Sequence, residues 1–275
     1  MIQAASLGEH GASAAFDRMA DTYDATFTES SIGRAQRNVV WNSLKKAFRP
    51  GDRVLDLNCG TGEDALFLAK RGICVLGCDA SVRMIEVAER RKALEAPNAS
   101  LQFRLLKNED VDALSSTAPF DGMLSNFSGL NCVAEPSQVA RNLTPLLKPG
   151  AVALICISTR FCLWEIAWHG ARANFTKAFR RLRGSALARL NEITVPVWYP
   201  TIARMRESFS PWFRLRSTRA VGLFVPPSYL ESWARKHATV LAFLEAMDRV
   251  FSAWPILRGV GDHVLLEFER TSQFP

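Results

Sequence analysis

The chain has 275 residues, a net charge of +7 and 48% apolar residues, which allows a full hydrophobic core and argues against a disordered chain. No apolar run approaches the roughly 18 residues of a membrane span, and MIQAASLGEHGASAAFDRMA lacks the charged-then-apolar pattern of a secretion signal. The six cysteines (Cys59, Cys74, Cys78, Cys132, Cys156, Cys162) form no C-x-x-C pair, so no metal site is expected and reduced, buried thiols in a cytoplasmic protein are.

Along the chain, the first residues read as a frayed, small-residue lead-in. Residues 34–48 predict a helix that ends before the turn RPGD. Arg53–Asn58 is an apolar strand and Glu63–Lys70 begins a helix. Ile73–Asp79 is a second strand with Ser81–Ala93 helical behind it, SLQFRLL (100–106) a third and FDGMLS (120–125) a fourth. PSQVARNLTPLL (136–147) predicts a helix stopped by Lys148-Pro149-Gly150, and AVALICIS (151–158) a fifth strand. Residues 161–190 read as helical, EITVPVWYP (192–200) as a short edge strand because it carries prolines, and FRLRSTRAVGLF (213–224) as a strand. Residues 228–253 read as helical, and DHVLLEFER (262–270) as a closing strand.

Most of these strands are apolar on both faces, which is the pattern of a parallel sheet covered by helices. The fold class expected is α/β: a doubly wound, Rossmann-like, mostly parallel sheet with helices on both faces and an inserted helical and aromatic lid region. Ligands on such sheets bind beyond the carboxyl ends of the strands, which places Asn58–Gly62, Asp79, Asn108 and Ser125–Phe127 around one crevice.

Gly60-x-Gly62-x-x-Ala65 formally satisfies a dinucleotide fingerprint. Between Arg53 and Lys70, however, there is no basic residue and there are three acids, Asp56, Glu63 and Asp64, which would repel a pyrophosphate at the helix N-terminus. A cationic ligand without phosphates fits better, and S-adenosylmethionine, with a sulfonium and an amino group, is one. Asp79, seventeen residues after Gly62, is placed to accept hydrogen bonds from a ribose diol.

VLDLNCGTGEDALFLAKRGICVLGCDAS, FDGMLSNFSGLN and LLKPGAVALICI resemble, together, the successive motifs of the class I S-adenosylmethionine-dependent methyltransferases, and FDRMADTYDATF (16–27) resembles the tyrosine-containing N-terminal helix of their small-molecule branch. The resemblance covers about residues 16–158. It implies that Asp56 reaches the methionine amino group, that Asn58, Gly60 and Gly62 form the turn against the cofactor, that Asp79 holds the ribose hydroxyls and that Ala80 is a further cofactor-binding residue. It further implies that Met84, Asn108 and Glu109 surround the adenine, that Ser125, Asn126 and Phe127 lie under the methionine portion, and that Tyr23 closes over it. Two departures stand out. Asn58 replaces the family's usual first glycine, although Asn tolerates left-handed backbone. Lys107 stands where an acid often precedes the adenine contacts.

The acceptor must be read from the site and not from the fold. Ser125-Asn126-Phe127-Ser128 lacks the prolines of the nucleic-acid amino-methyltransferases, which argues against a base amino group and against DNA. Residues 160–219 carry twelve Arg or Lys against three Asp or Glu, together with four of the seven tryptophans. This is where small-molecule members insert a lid, so Asn131, Trp164, Trp168, His169, Trp198 and Tyr199 are candidate pocket residues, with core packing as the competing reading of the aromatics. FTKAFRRLRGSALARL (175–190) reads as a basic amphipathic helix. It is either a solvated face or a dock for an acidic carrier protein, an anionic substrate or a lipid surface. Among four histidines, His169 is the first candidate for a general base; His263 suits hydrogen bonding within the fold, and His10 and His237 the surface.

The expected organisation is an N-terminal helical lid segment (1–33), a cofactor-binding core (34–158), a substrate lid (159–212) and closing elements (213–275). The expected activity is methyl transfer to an O, N or C atom of a small molecule, with secondary metabolism as the setting the resemblance suggests and S-adenosyl-L-homocysteine as the product. A nicotinamide-dependent oxidoreductase, a non-catalytic nucleoside-binding module and an RNA-modifying methyltransferase are the alternatives.

Overall fold

The computed structural model describes residues 2–190 and 192–272; the side chains of residues 2–10, His10 included, lie outside what is described. Seven strands form one sheet in the order β3-β2-β1-β4-β5-β9-β8. They are β1 (Arg53–Leu57), β2 (Cys74–Asp79), β3 (Leu101–Leu105), β4 (Phe120–Ser125), β5 (Leu147–Ser158), β8 (Phe213–Val221) and β9 (His263–Arg270). Strands β1 to β5 are parallel, whereas β9 runs antiparallel between β5 and β8. Two further strands, β6 (Ser185–Leu190) and β7 (Ile193–Trp198), form a separate antiparallel hairpin.

Helices cover both faces. On one side α2 (Ser31–Ala47) and α3 (Glu63–Ala69) bury Val40, Leu44, Leu66 and Leu68 against Val54, Val75 and Leu124. On the other, α5 (Pro136–Leu143) and α8 (Ile202–Phe209) bury Val139, Leu143, Met205 and Phe209 against Leu55, Met123, Ile155 and Phe268. The helix starts are set locally. Ser30, Ser81 and Thr201 cap α2, α4 (Val82–Glu95) and α8 by accepting from the amides of Gly33, Met84 and Arg204.

Several expectations are corrected. The N-terminal stretch is no lead-in: α1 spans Ile2–Tyr23 and runs into one wide, π-type turn over Asp24–Thr28. Residues 161–190 are not one helix. They form α6 (Leu163–Gly170), α7 (Phe175–Ala178) and a 3-10 turn (Arg180–Arg183), after which Gly184 at φ 84 turns the chain into β6. Side chains in β6 then alternate in exposure, as a strand's must. After α5 the chain makes one 3-10 turn, and Leu147 already pairs with Phe120; Lys148–Gly150 bulge out before pairing resumes at Val152. The 228–253 stretch is divided at His237 into α9 (Glu231–Lys236) and α10 (Ala238–Phe251).

Phe209 and Phe268 are fully buried and stack at 4.7 Å between ring centroids, joining α8 to β9. Truncating either to Ala should cost about 3–5 kcal/mol. The double variant should lose less than the sum, because the second truncation enlarges one shared cavity; equilibrium denaturation of the three variants measures both.

Candidate active site

Strand order reverses between β1 and β4, and a cavity opens at their carboxyl ends, the position such sheets reserve for ligands. Its floor begins at the turn after β1. Asn58 takes a left-handed conformation at φ 63, and its side chain donates to Asn108 Oδ1 and accepts from Ser125 Oγ, both at 3.0 Å. The Asn that departs from the glycine pattern thus ties together the ends of β1, β3 and β4. Gly62 sits at φ 78, and a Cβ there would lie 2.7 Å from Phe103 and 2.9 Å from Ala88. Gly60 lines the cavity and donates its amide to Asp79 Oδ2 at 2.9 Å; the other Asp79 oxygen accepts the Ser81 amide. About two acceptor positions of that carboxylate remain, and burial pushes its pKa up.

The cavity gathers most of the residues expected around it. Tyr23, Asn58, Gly60, Asp79, Ala80, Met84, Asn108, Glu109, Asn126 and Phe127 line it. Asp56, Gly62 and Ser125 stand behind that lining. Asp56 is 1% exposed, and its Oδ2 has no hydrogen-bond partner. Burial, and then the nearby Asp64 carboxylate, hold its pKa well above the usual range, while Arg37 pulls in the opposite direction.

The expectation of a crevice without basic side chains is overturned. Arg37 of α2 pairs with Asp64 at 2.5 Å, and Asp64 also accepts from Trp41 Nε1 at 2.7 Å and Asn126 Nδ2 at 2.8 Å. Arg91 of α4 pairs with Glu63 and with Asp24. Reading only the residues next to the turn missed both arginines, which arrive from other helices. Arg37 also lies 4.9 Å from the Phe127 ring centre, and its Nε is buried without a partner.

Several lining residues were also missed. Ala12, Ser13 and Phe16 of α1 line the cavity, as do Lys107, Gly129 and Cys132. Helix α1 is pinned by Asp17, which accepts from Ser81 Oγ at 2.6 Å and the Arg83 amide at 3.1 Å, and by Asp24, which accepts from Thr61 Oγ1 at 2.7 Å. The wide turn aims Phe27 edge-on at Phe127, 4.8 Å between centroids. Helical spacing of Ala12, Phe16 and Tyr23 was the available signal.

The candidate pocket residues of the lid lie elsewhere. Trp164 and Trp168 pack against Ile32, Ala35, Val225 and Leu230, with Trp164 Nε1 donating to the Phe224 carbonyl at 2.9 Å. His169 sits beside Tyr229, its pKa lowered by burial. Asn131 Nδ2 donates to the Trp198 carbonyl at 2.6 Å, and its Oδ1 accepts the Ser158 amide, which ties β7 to β5. Tyr199 is buried, its ring centre 5.5 Å from the Arg181 guanidinium. His263 is buried with its ring 5.5 Å from that of Phe127. Burial lowers its pKa, so the imidazole is neutral near pH 7.

Residues 54–150 match a family model described as a methyltransferase domain. A demethylmenaquinone methyltransferase of Clavibacter sepedonicus is 34% identical over 144 residues, covering 52% of this chain and 56% of the relative. The tRNA 5-carboxymethoxyuridine methyltransferase of Escherichia coli K12 is 29% identical over 141 residues, covering 50% and 53%. The chain therefore spans about half the length of the curated relatives it matches. Among solved structures, an S-adenosylmethionine-dependent methyltransferase of Mesorhizobium loti shares the fold at a TM-score of 0.52 and 16% identity, covering 84% of this chain and 97% of that one.

Asn58 should respond to substitution in a way that separates backbone from side chain. Asn58→Gly keeps the left-handed turn and loses two hydrogen bonds, whereas Asn58→Ala loses both features and should be less stable than the glycine variant by about 1 kcal/mol. Chemical denaturation of the pair measures the difference.

Proposed function

We propose that this chain, which carries a class I S-adenosylmethionine-dependent methyltransferase domain, transfers the methyl group of S-adenosyl-L-methionine to an oxygen, nitrogen or carbon of a small acceptor. The observation that carries the reading is a pair of buried, unpartnered groups of opposite polarity beside the cavity, an acceptor at Asp56 Oδ2 and a donor at Arg37 Nε. An α-amino acid zwitterion complements that pair, ammonium to Asp56 and carboxylate to Arg37. When bound, the cofactor supplies a methyl already activated by the sulfonium.

The chain's own residues do the rest. Asp79 accepts from the ribose hydroxyls with the positions its two amide donors leave open. Met84 and Ala80 flank the adenine, with Asn108 and Glu109 at its edge, and Phe127 and Tyr23 close on the methionine portion. Burial holds the Tyr23 phenol at about 12, so it stays neutral and adds no charge. Lys107 is offset by Asp79 and Glu109 in the same lining, and Glu63 and Asp64 occupy the first turn of α3 where a diphosphate would need bare amides. Both features favour a cation over a dinucleotide.

No histidine lines the cavity among the described residues. Rate enhancement in this reading comes from holding acceptor, methyl and sulfur in line. The quinone-directed relative supports an apolar acceptor, as do the cavity's Phe16, Phe127 and Met84. The tRNA-directed relative keeps an RNA acceptor as the second reading. In this proposal α1 and its wide turn form the roof, residues 34–158 the cofactor core, 159–212 the lid and 213–272 the closing part. The six cysteines, none of them in a disulfide, fit a cytoplasmic setting.

Isothermal titration should give binding heat with S-adenosylmethionine and S-adenosylhomocysteine and none with NAD. Asp56→Asn should weaken the sulfonium ligand by about tenfold or more, the worth of one charge-assisted hydrogen bond. Unchanged affinity in that variant, or preference for NAD, overturns the reading.

The pH dependence has a defined sign. The free site holds Asp56 protonated above the usual carboxylate range, and a bound ammonium favours the ionised form, so binding releases protons. Affinity should rise with pH across that titration, the heat should vary with the buffer's ionisation enthalpy, and Asp56→Asn should reduce the proton release.

A further inference from the structure

The lid surface has a composition that the methyl-transfer reading leaves unused. Residues 171–177 are all exposed, and Phe175 within them stacks parallel on Phe179 just past them at 6.4 Å, with 59% and 44% of their surface in solvent. Leu163 and Phe161, at the start of α6, are about half exposed. The Leu163 amide donates to the Val260 carbonyl and the Val260 amide to that of Leu257, which fastens the turn bearing Trp254 and Ile256 to the same end of the molecule; Ile256 is 88% exposed. That end is the one where β5 finishes and β9 begins, beyond the strands' carboxyl ends, where the cavity also opens.

The charge around these apolar side chains has one sign. Between residues 160 and 190 there are seven Arg or Lys and one acid, Glu165. Glu165 is 1% exposed and is consumed by Arg180 at 2.6 Å and Arg181 at 2.9 Å. Arg172, Lys177 and Arg183 are left at the surface among the exposed rings. The segment is not loosely attached, since Arg181 also pairs with buried Asp262 at 2.9 Å. Exposed apolar side chains rimmed by cations mark an interaction surface, and the chemistry that satisfies both is an apolar phase under an anionic layer. Single-stranded nucleic acid would use the rings and the cations, but it has no use for Leu163 and Ile256.

We propose that this end of the protein docks on an anionic lipid bilayer. Phe175, Phe179, Phe161 and Leu163 enter the boundary between headgroups and acyl chains, and Arg172, Lys177 and Arg183 meet the lipid phosphates. Docking turns the cavity end toward the membrane, and it holds whether or not the methyl acceptor is itself a lipid.

Co-sedimentation of the full chain with phosphatidylcholine vesicles, with and without phosphatidylglycerol, tests this. The protein should partition onto the anionic vesicles, and high salt should release it. Phe175→Ser/Phe179→Ser and Lys177→Gln/Arg183→Gln should each weaken partitioning by about tenfold or more, while leaving thermal unfolding and S-adenosylmethionine binding unchanged. Failure to partition at low salt overturns the proposal. So does partitioning that ignores the phenylalanine pair, which would be charge adsorption alone. Tight binding of polyuridylate that the phenylalanine variant abolishes, without partitioning onto vesicles, would assign the surface to RNA, and a dimer in light scattering that the same variant dissolves would assign it to a second copy.

Discussion

Asp56 is the penultimate residue of a central strand with parallel neighbours on both sides, and one of its carboxylate oxygens has no partner. A carboxyl in that position loses water on burial and feels Asp64 and Asp79 close by, a combination that costs several kcal/mol if it stays charged and alone. The surroundings narrow what can relieve it. Asp64 is already saturated by Arg37, Trp41 and Asn126, and both Asp79 oxygens already hold an amide. Among these three carboxylates the open acceptor is therefore one Asp56 oxygen, which calls for a hydrogen-bond donor with positive charge, while Arg37 Nε beside it is the open donor. The electrostatic preference first read from the turn's three acids survives, but on different grounds: two of those acids are neutralised by arginines from α2 and α4, and the third is the one left open.

Helix α1 gives this crevice its roof, and it is attached in a particular way. Its inner wall against the cavity is small or aromatic, Ala12, Ser13 and Phe16, whereas its ties to the core are polar and sit at the rim, through Asp17, Asp21 and Asp24. The same helix packs on the β6–β7 hairpin through buried Ala12, Ala15 and Val195, so the roof is held by apolar contact as well as by these polar ties. The π-type turn at Asp24–Thr28 shifts the helical register just past Tyr23 and turns Phe27 onto Phe127. Wide turns of this kind are frequent at functional sites because they re-aim side chains that regular helical spacing would carry elsewhere.

What could be read from sequence followed the range of the interactions concerned. The inner parallel strands were legible because burial on both faces writes mostly apolar runs, whereas the edge strand β3, LQFRL, is largely exposed; the turn was legible because Gly62 permits a backbone that side chains resist. Asn58 illustrates the limit. Its left-handed backbone was expected, but its bridge between Asn108 and Ser125 joins residues 50 and 67 positions away, and nothing local encodes it. Arg37 and Arg91 were invisible for the same reason. The lid misled in a second way. ALARL following FRRLRG continues a helix-compatible composition, and only Gly184 and the pairing of Ser185–Leu190 with Ile193–Trp198 turn it into a hairpin. The aromatic spacing of Trp164 and Trp168 was real, and it serves the packing of α6 on α2 and α9.

The chain's basic excess and its acidic crevice are kept apart by the same helix that joins them. On α2, Gln36 donates to Asp262 at 3.4 Å and to the Pro226 carbonyl at 3.2 Å. Asp262 is the carboxylate that Arg181 brings into the core from the lid, and Arg181 shares Glu165 with Arg180. The next residue, Arg37, reaches the other way, to Asp64 in the crevice. Two consecutive side chains of one helix thus terminate two buried charge networks, one belonging to the lid and one to the cavity floor. Pairing confines each field, since the arginines nearest the core are bound to acids and the exposed ones are screened over about 10 Å at ordinary salt. The lid can therefore present positive charge outward without cancelling the carboxylates inside. Because Gln36 and Arg37 are rigidly adjacent, the placement of the lid on α2 and the placement of α2 over Asp56 are a single geometric condition.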